Sequence, residues 1–290
     1  MSEHPYQYFE GLFEGFQNEI LPYQSWRPTF CEQVIVIVHG MGEHSGRYMN
    51  LINYFKNQGI AFYGYDHRGH GKSPGKRGHA PSCLHLVEDL ARFLKLVSIH
   101  EEEKPITLFG HSFGGLIALK YLINLHRKAG FKPDGAVLSN PLIELALEVP
   151  AWKVKLAKLM AGIFPKLSFT GTITGEKLTH DPLAAKAYDT DPLVHQKVTA
   201  RLYVEMIKTM QKVKDNVEFI DVPILMLLGS SDPVVSPKGG ENLFSNLKIS
   251  DKDLKIYEGY YHELINEIDR ERVFQDIERW VQSPKKRAAL

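Results

Sequence analysis

The run Val34-Ile35-Val36-Ile37-Val38 constrains the fold more than any other stretch of this chain. It is β-branched throughout, so it favours a strand, and it has no polar face to give to water. A strand of this kind needs cover on both faces, which points to a mostly parallel sheet between two layers of helices. The rest of the sequence repeats that pattern. Strands are expected at Ile60 to Tyr65, Pro105 to Phe109, Gly135 to Ser139, Pro223 to Gly229 and Leu254 to Glu258. Helices are expected at about Tyr48 to Asn57, Leu84 to His100, Leu116 to Leu125 and Ile265 to Val281. Tyr8 to Phe13 and Glu19 to Trp26 read as an opening pair of strands, with a turn at Gly15 to Asn18. Between Pro141 and about Asn216 the alternation stops, with helical patterns and no convincing strand. The expected organisation is therefore a core of residues 1–140 and 217–290, with residues 141–216 inserted as a helical cap.

One strand-to-helix junction carries chemistry. Gly110-His111-Ser112-Phe113-Gly114-Gly115 follows the apolar run ending at Phe109 and precedes an apolar, helix-favouring stretch. This is the G-x-S-x-G pattern in the context it requires, a serine on a sharp turn at the end of a parallel strand. The glycines leave room where the strand folds back against the helix, and the helix N-terminus places free N–H groups beside the hydroxyl. Such a serine needs a base, and the base needs an orienting acid. In this architecture the acid precedes the histidine in the chain. Asp232 follows the strand Pro223 to Gly229, and His262 follows the last strand. Among 13 histidines, His262 is singled out by lying at a strand end after an acid at the previous one. An oxyanion needs N–H donors, expected from Phe113 and from Met41 in His39-Gly40-Met41-Gly42. His39 itself reads as a structural hydrogen-bonding residue.

Composition removes other classes. With 35 basic and 34 acidic residues the net charge is +1, so nothing favours a nucleic-acid partner. Cys31 and Cys83, far apart, give no disulfide framework and fit a reducing compartment. The segment Met1 to Glu10 has no apolar signal core, and no apolar run approaches a membrane span. A cytoplasmic protein is expected, with peripheral contact at a membrane surface as a second element of that expectation. Gly71-Lys72-Ser73 resembles the end of a phosphate loop, but the required upstream glycine is Asp66. His262-Glu263 begins like a zinc-protease motif, but the later ligand position is Asn266. No metal and no cofactor are expected.

Within the cap, Trp152, Leu156, Leu159, Met160 and Ile163 share one side of a helix, and Lys155 and Lys158 the other. The stripe reads either as a lid packed on the body or as a surface that meets lipid aggregates. Leu156 and Leu159 are the candidates for an apolar wall around an acyl chain.

Taken together, these residues resemble the monoacylglycerol lipase and lysophospholipase branch of the α/β-hydrolases. The resemblance runs through His39-Gly40-Met41-Gly42-Glu43-His44-Ser45-Gly46-Arg47-Tyr48 and Asp66-His67-Arg68-Gly69-His70-Gly71-Lys72-Ser73. It continues in the Ser112 turn, in Asp191-Pro192-Leu193 and in Lys255-Ile256-Tyr257-Glu258-Gly259-Tyr260-Tyr261-His262-Glu263. It implies the α/β-hydrolase fold and an ester hydrolase for single-chain lipids, with a cap over an apolar acyl tunnel. It also implies contacts from Glu43, Arg47 and Tyr188 to the glycerol end. The same three residues would serve equally as a local network holding the oxyanion loop and the cap. Some relatives carry a second histidine three positions after the catalytic one, where this chain has Ile265.

The expected reaction is cleavage of a monoacylglycerol to fatty acid and glycerol. His262 takes the proton of Ser112, Asp232 orients His262, and water hydrolyses the acyl-serine. The alternatives are a lysophospholipase or general carboxylesterase, a peptidase of the proline iminopeptidase kind, and a non-catalytic binding protein on the same fold. The peptidase needs an acidic site for a free amine, for which Glu43 is the visible candidate.

Overall fold

The computed structural model describes residues 6–125, 130–146 and 151–283. Residues 1–5 of the polar N-terminal stretch and residues 284–290 of the expected core segment lie outside this range. The chain opens with an antiparallel pair, β1 (Gln7–Glu14) and β2 (Ile20–Arg27). There follow β3 (Gln33–Val38), α1 (Met49–Tyr54), β4 (Ile60–Tyr65), α2 (Cys83–His100), β5 (Ile106–His111), α3 (Phe113–Leu125) and β6 (Gly135–Ser139). Next come α4 (Ala151–Ile163), β7 (Ser168–Thr170), α5 (Pro182–Thr190), β8 (Lys197–Thr199) and α6 (Ala200–Lys214). The described chain closes with β9 (Ile224–Gly229), α7 (Pro237–Asn246), β10 (Lys252–Tyr257) and α8 (Glu271–Val281). The main sheet has the order β1-β2-β4-β3-β5-β6-β9-β10 and is parallel from β4 to β10. This is the α/β-hydrolase fold.

The central strand shows why the sequence demands two helical layers. Val34, Val36 and Val38 enter the core shared with α2 and α3, whereas Ile35 and Ile37 enter the core shared with α1 and α8. All five are at most 1 % exposed, so no face of β3 is left for water.

Three local differences from the sequence reading have physical causes. The closing helix begins at Glu271, because Leu264–Asn266 form a separate 3-10 turn. Helix α7, which apolar periodicity does not reveal, is set by its start: the Ser236 hydroxyl accepts from the Gly239 N–H, and Pro237 occupies the first turn. Within residues 141–216 lie two short antiparallel strands, β7 and β8, with Ser168 opposite Thr199. Three-residue strands are too short to show a period of two.

Candidate active site

The turn after β5 is as tight as its glycines require. Ser112 has φ of 50°, in the left-handed region that side chains other than glycine rarely occupy. A Cβ on Gly114 would overlap the carbonyl oxygen of Val38, and one on Gly110 would stand 2.9 Å from the Cα of Gly115. These two contacts are the close approach of α3 to β3 and to its own strand. The Ser112 N–H donates to the Ser139 carbonyl at 3.0 Å, so β6 steadies the turn.

Asp232 and His262 meet across the ends of β9 and β10. His262 Nδ1 lies 2.6 Å from Asp232 Oδ2. The other carboxylate oxygen, Oδ1, accepts the backbone N–H groups of Val234 and Val235 at 2.7 and 3.0 Å. The acid is thus locked by its own turn and presents one oxygen to the ring. Burial lowers the affinity of His262 for a proton, but Asp232, then Glu263 and Glu43, outweigh it and raise the pKa. Its neighbour His111, with ring centroids 4.8 Å apart, is pushed down to about 4 by burial and by His262.

A cavity of about 180 Å³ brings Ser112 and His262 together with Met41, Glu43, Arg47 and Tyr188. Its remaining wall is largely apolar: Leu142 and Leu145 after β6, Ile173 and Leu178 between β7 and α5, Val198, Met206 of α6, and Val234. Gly40 borders Ser112 so closely that an added Cβ would lie 3.4 Å from the serine Cβ. The loop carrying Met41 is therefore beside the hydroxyl.

Glu43, Arg47 and Tyr188 form a connected group at the cavity edge. Arg47 Nη1 donates to Glu43 Oε2 at 2.9 Å, and its guanidinium carbon lies 4.8 Å from the centre of the Tyr188 ring. Burial pushes the Glu43 carboxyl up, but Arg47, His111 and His39 hold it down at about 2.

Leu156 and Leu159 do not line this cavity. They are 44 % and 56 % exposed, as Trp152 and Ile163 are 63 % and 57 %. The inward seam of α4 is Ala157 and Ala161, which pack on Ala200 and Val204 of α6. Small residues let two helices approach closely, so the alanines and not the leucines face inward. The stripe is therefore not a lid surface buried on the body, although Met160 is half-buried at its edge.

Two residues that the sequence reading passed over hold the site together. Asn140, at the end of β6, donates from Nδ2 to the carbonyls of His262 and Tyr261 at 2.8 and 3.2 Å and accepts the Gly229 N–H at 2.9 Å. Its only signal in sequence is a polar residue directly after a strand. Glu263, first met as part of an incomplete metal motif, is 4 % exposed and takes both terminal nitrogens of Arg47. Among the described residues, no three His, Cys, Asp or Glu side chains are grouped to hold a metal ion. None of the helices among them is long and apolar enough to cross a membrane.

A strand-borne serine, a carboxylate-bound histidine and an adjoining glycine loop at the carboxyl end of a parallel sheet define a serine hydrolase of the α/β class. The family model described as serine aminopeptidase, S33, matches residues 31–269. The monoglyceride lipase of Homo sapiens is 32% identical over 282 residues, covering 96% of this chain and 91% of that one. The crystal structure of the Paleococcus ferrophilus monoacylglycerol lipase superimposes with a TM-score of 0.78 at 33% identity, covering 95% of this chain and 98% of that one. An uncharacterized abhydrolase domain-containing protein of Dictyostelium discoideum is 32% identical over 266 residues, and there the match spans 91% of this chain but 28% of the longer protein. The chain belongs to the α/β-hydrolase family, in its monoacylglycerol lipase and lysophospholipase branch.

Proposed function

We propose that this protein is a serine hydrolase that cleaves monoacylglycerols to fatty acid and glycerol. Ser112 attacks the ester carbonyl while His262 takes its proton, and His262 then protonates the leaving alcohol. Asp232 holds the ring in the required tautomer and stabilises the imidazolium. The N–H groups of Phe113 and Met41 receive the oxyanion, and water releases the acyl group from Ser112. Residues 141–216 act as the cap that closes the apolar cavity. The observation that carries this reading is the 2.6 Å contact of His262 with Asp232 at the cavity that also contains Ser112. The lipid class is supported by the apolar wall and by the monoglyceride lipases among the relatives.

Aminopeptidase activity, which the name of the matching family model raises, is disfavoured by the acids at the cavity. Glu43 and Glu263 already share the Arg47 guanidinium, so neither is free to receive a substrate ammonium. The exposed stripe Trp152, Leu156, Leu159 and Ile163 serves as a contact with the lipid surface from which substrate is drawn.

The test compares turnover of a monoacylglycerol, a lysophospholipid, a short p-nitrophenyl ester and an aminoacyl anilide. The monoacylglycerol is expected to give the highest kcat/KM. Ser112→Ala is expected to fold, to lose ester turnover and to lose labelling by a fluorophosphonate. Higher kcat/KM on the anilide, or undiminished ester turnover by pure Ser112→Ala, contradicts the proposal.

A further inference from the structure

A chain of charged contacts runs from the residue after His262 to the Gly40 N–H, one peptide before the one that carries the Met41 N–H. Arg47 Nη1 and Nη2 donate to Glu263 Oε1 and Oε2 at 2.7 and 2.9 Å, a bidentate pair. Nη1 also reaches Glu43 Oε2 at 2.9 Å. Glu43 Oε1 in turn accepts the Gly40 N–H at 2.6 Å and the Tyr48 hydroxyl at 2.8 Å. Glu263 Oε2 further accepts from Asn266 Nδ2 at 2.7 Å. Every oxygen of both carboxylates is thus engaged, and both residues are at most 5 % exposed.

The other end of Gly40 is held as well. Its carbonyl accepts from His39 Nδ1 at 2.8 Å, and His39 Nε2 accepts the His67 backbone N–H at 2.9 Å. These two bonds require a neutral His39 with its proton on Nδ1. The Gly40 carbonyl and the Met41 N–H belong to one planar trans peptide, so they point in opposite directions. Fixing the carbonyl fixes the N–H. His39 therefore sets the direction of the Met41 donor, and Glu43 anchors the peptide just before it, so the two together fix both sides of Gly40.

We propose that Glu263 is a positioning residue that, through Arg47 and Glu43, sets the Met41 N–H in register with the loop of His262, and is not a ligand for the alcohol part of the substrate. The inference rests on the reading of Ser112, His262 and Met41 given above. It explains why two buried acids share one base: the group keeps a net negative charge beside the ring that becomes positive in the reaction. Glu263 and Glu43 both raise the proton affinity of His262, after burial and Asp232.

The experiment uses the full chain and a short p-nitrophenyl ester, with kcat, KM and the pH dependence of kcat/KM measured for Glu263→Gln, Glu43→Gln and the double variant. Losing an oxyanion donor outright costs about 10²–10³ in kcat. A misdirected donor is expected to cost less, so Glu263→Gln should lower kcat by about tenfold with KM within about twofold. The acid limb of its profile should move to lower pH, which a purely structural prop would not cause. The double variant should lose less than the product of the single losses, because both act along one connection. If Glu263→Gln does not fold by thermal unfolding, Arg47→Lys takes its place; it keeps the charge but cannot form the bidentate pair, and the same fall in kcat at near-constant KM is expected. Raised KM with unchanged kcat, or losses that multiply fully, overturns the proposal. Ser112→Ala separates the two levels. If it is inactive while Glu263→Gln keeps the wild-type kcat and pH profile, the positioning role alone falls. If it stays active, the reading beneath falls and the proposal with it.

Discussion

Asp232 spends one carboxylate oxygen on His262, at 2.6 Å, and the other on the N–H groups two and three residues ahead of it in its own turn. The acid therefore cannot swing away from the ring without breaking its turn. Asp232→Asn keeps this shape but offers an amide where the ring needs an acceptor for its Nδ1 proton. In the serine-protease template this change costs about 10⁴ in kcat. A loss of that order is expected here, with thermal stability little altered. Near-normal kcat for pure Asp232→Asn would show that another acid orients His262.

Asn140 offers a test of what holds His262 in place. It is 1 % exposed, and its side chain joins β6, the end of β9 and the loop of His262. Asn140→Ala leaves the Gly229 N–H and two carbonyls without this partner and puts alanine at φ of 41°. A loss of about 2–4 kcal/mol is expected from unpaired buried groups and backbone strain. Urea unfolding measures it, and kcat should fall alongside. A stability change under about 0.5 kcal/mol, typical of a neutral surface site, would contradict the bracing role.

The buried histidines make a prediction about acid. Burial pushes His39 and His111 below the ordinary range, and pushes His67 and His70 further. Below the unfolded value of about 6.5, the unfolded chain binds protons that the folded chain refuses. Stability from these rings is thus complete above about pH 6.5 and is lost as pH falls through that value. For His111, with its folded value near 4, the loss amounts to on the order of 3 kcal/mol by pH 4. His262 has the opposite sign, since its raised pKa favours the folded state at low pH, but it is one ring against four. The melting temperature should be nearly flat from pH 8 to 7 and fall steeply below about pH 6.5. A flat profile down to pH 4.5 would mean that these rings carry protons in the folded state.

The outward stripe of α4 calls for a different measurement from the one its sequence suggests. Because Leu156 and Leu159 face solvent and not the cavity, replacing both with serine should leave turnover of a short, soluble ester unchanged. Folding should also be nearly unaffected, as for other surface changes. Binding to phospholipid vesicles should weaken, and turnover of monoacylglycerol presented in those vesicles should fall with it. Equal vesicle binding by the double variant and the wild type would remove the lipid-surface role.

Much of this protein is legible without coordinates. A five-residue β-branched run must be buried on both faces, and strand-helix alternation then leaves few topologies. A serine between a strand and a glycine-flanked turn has its surroundings dictated by neighbours in the chain. What escaped depends on contacts between distant segments. Helix periodicity marks Trp152, Leu156, Leu159 and Ile163 as one face, but periodicity does not say which face turns inward. Ala157 and Ala161 decided that, because α6 offers Ala200 and Val204 to pack against. The union of Glu263, Arg47 and Glu43 likewise spans 216 residues between its farthest bonded partners, a separation that no local pattern encodes. Sequence determined which elements form and which side chains stand at their ends; tertiary structure decided which apolar face is covered and which buried charges find one another, since burial and pairing are properties of the folded neighbourhood and not of the chain.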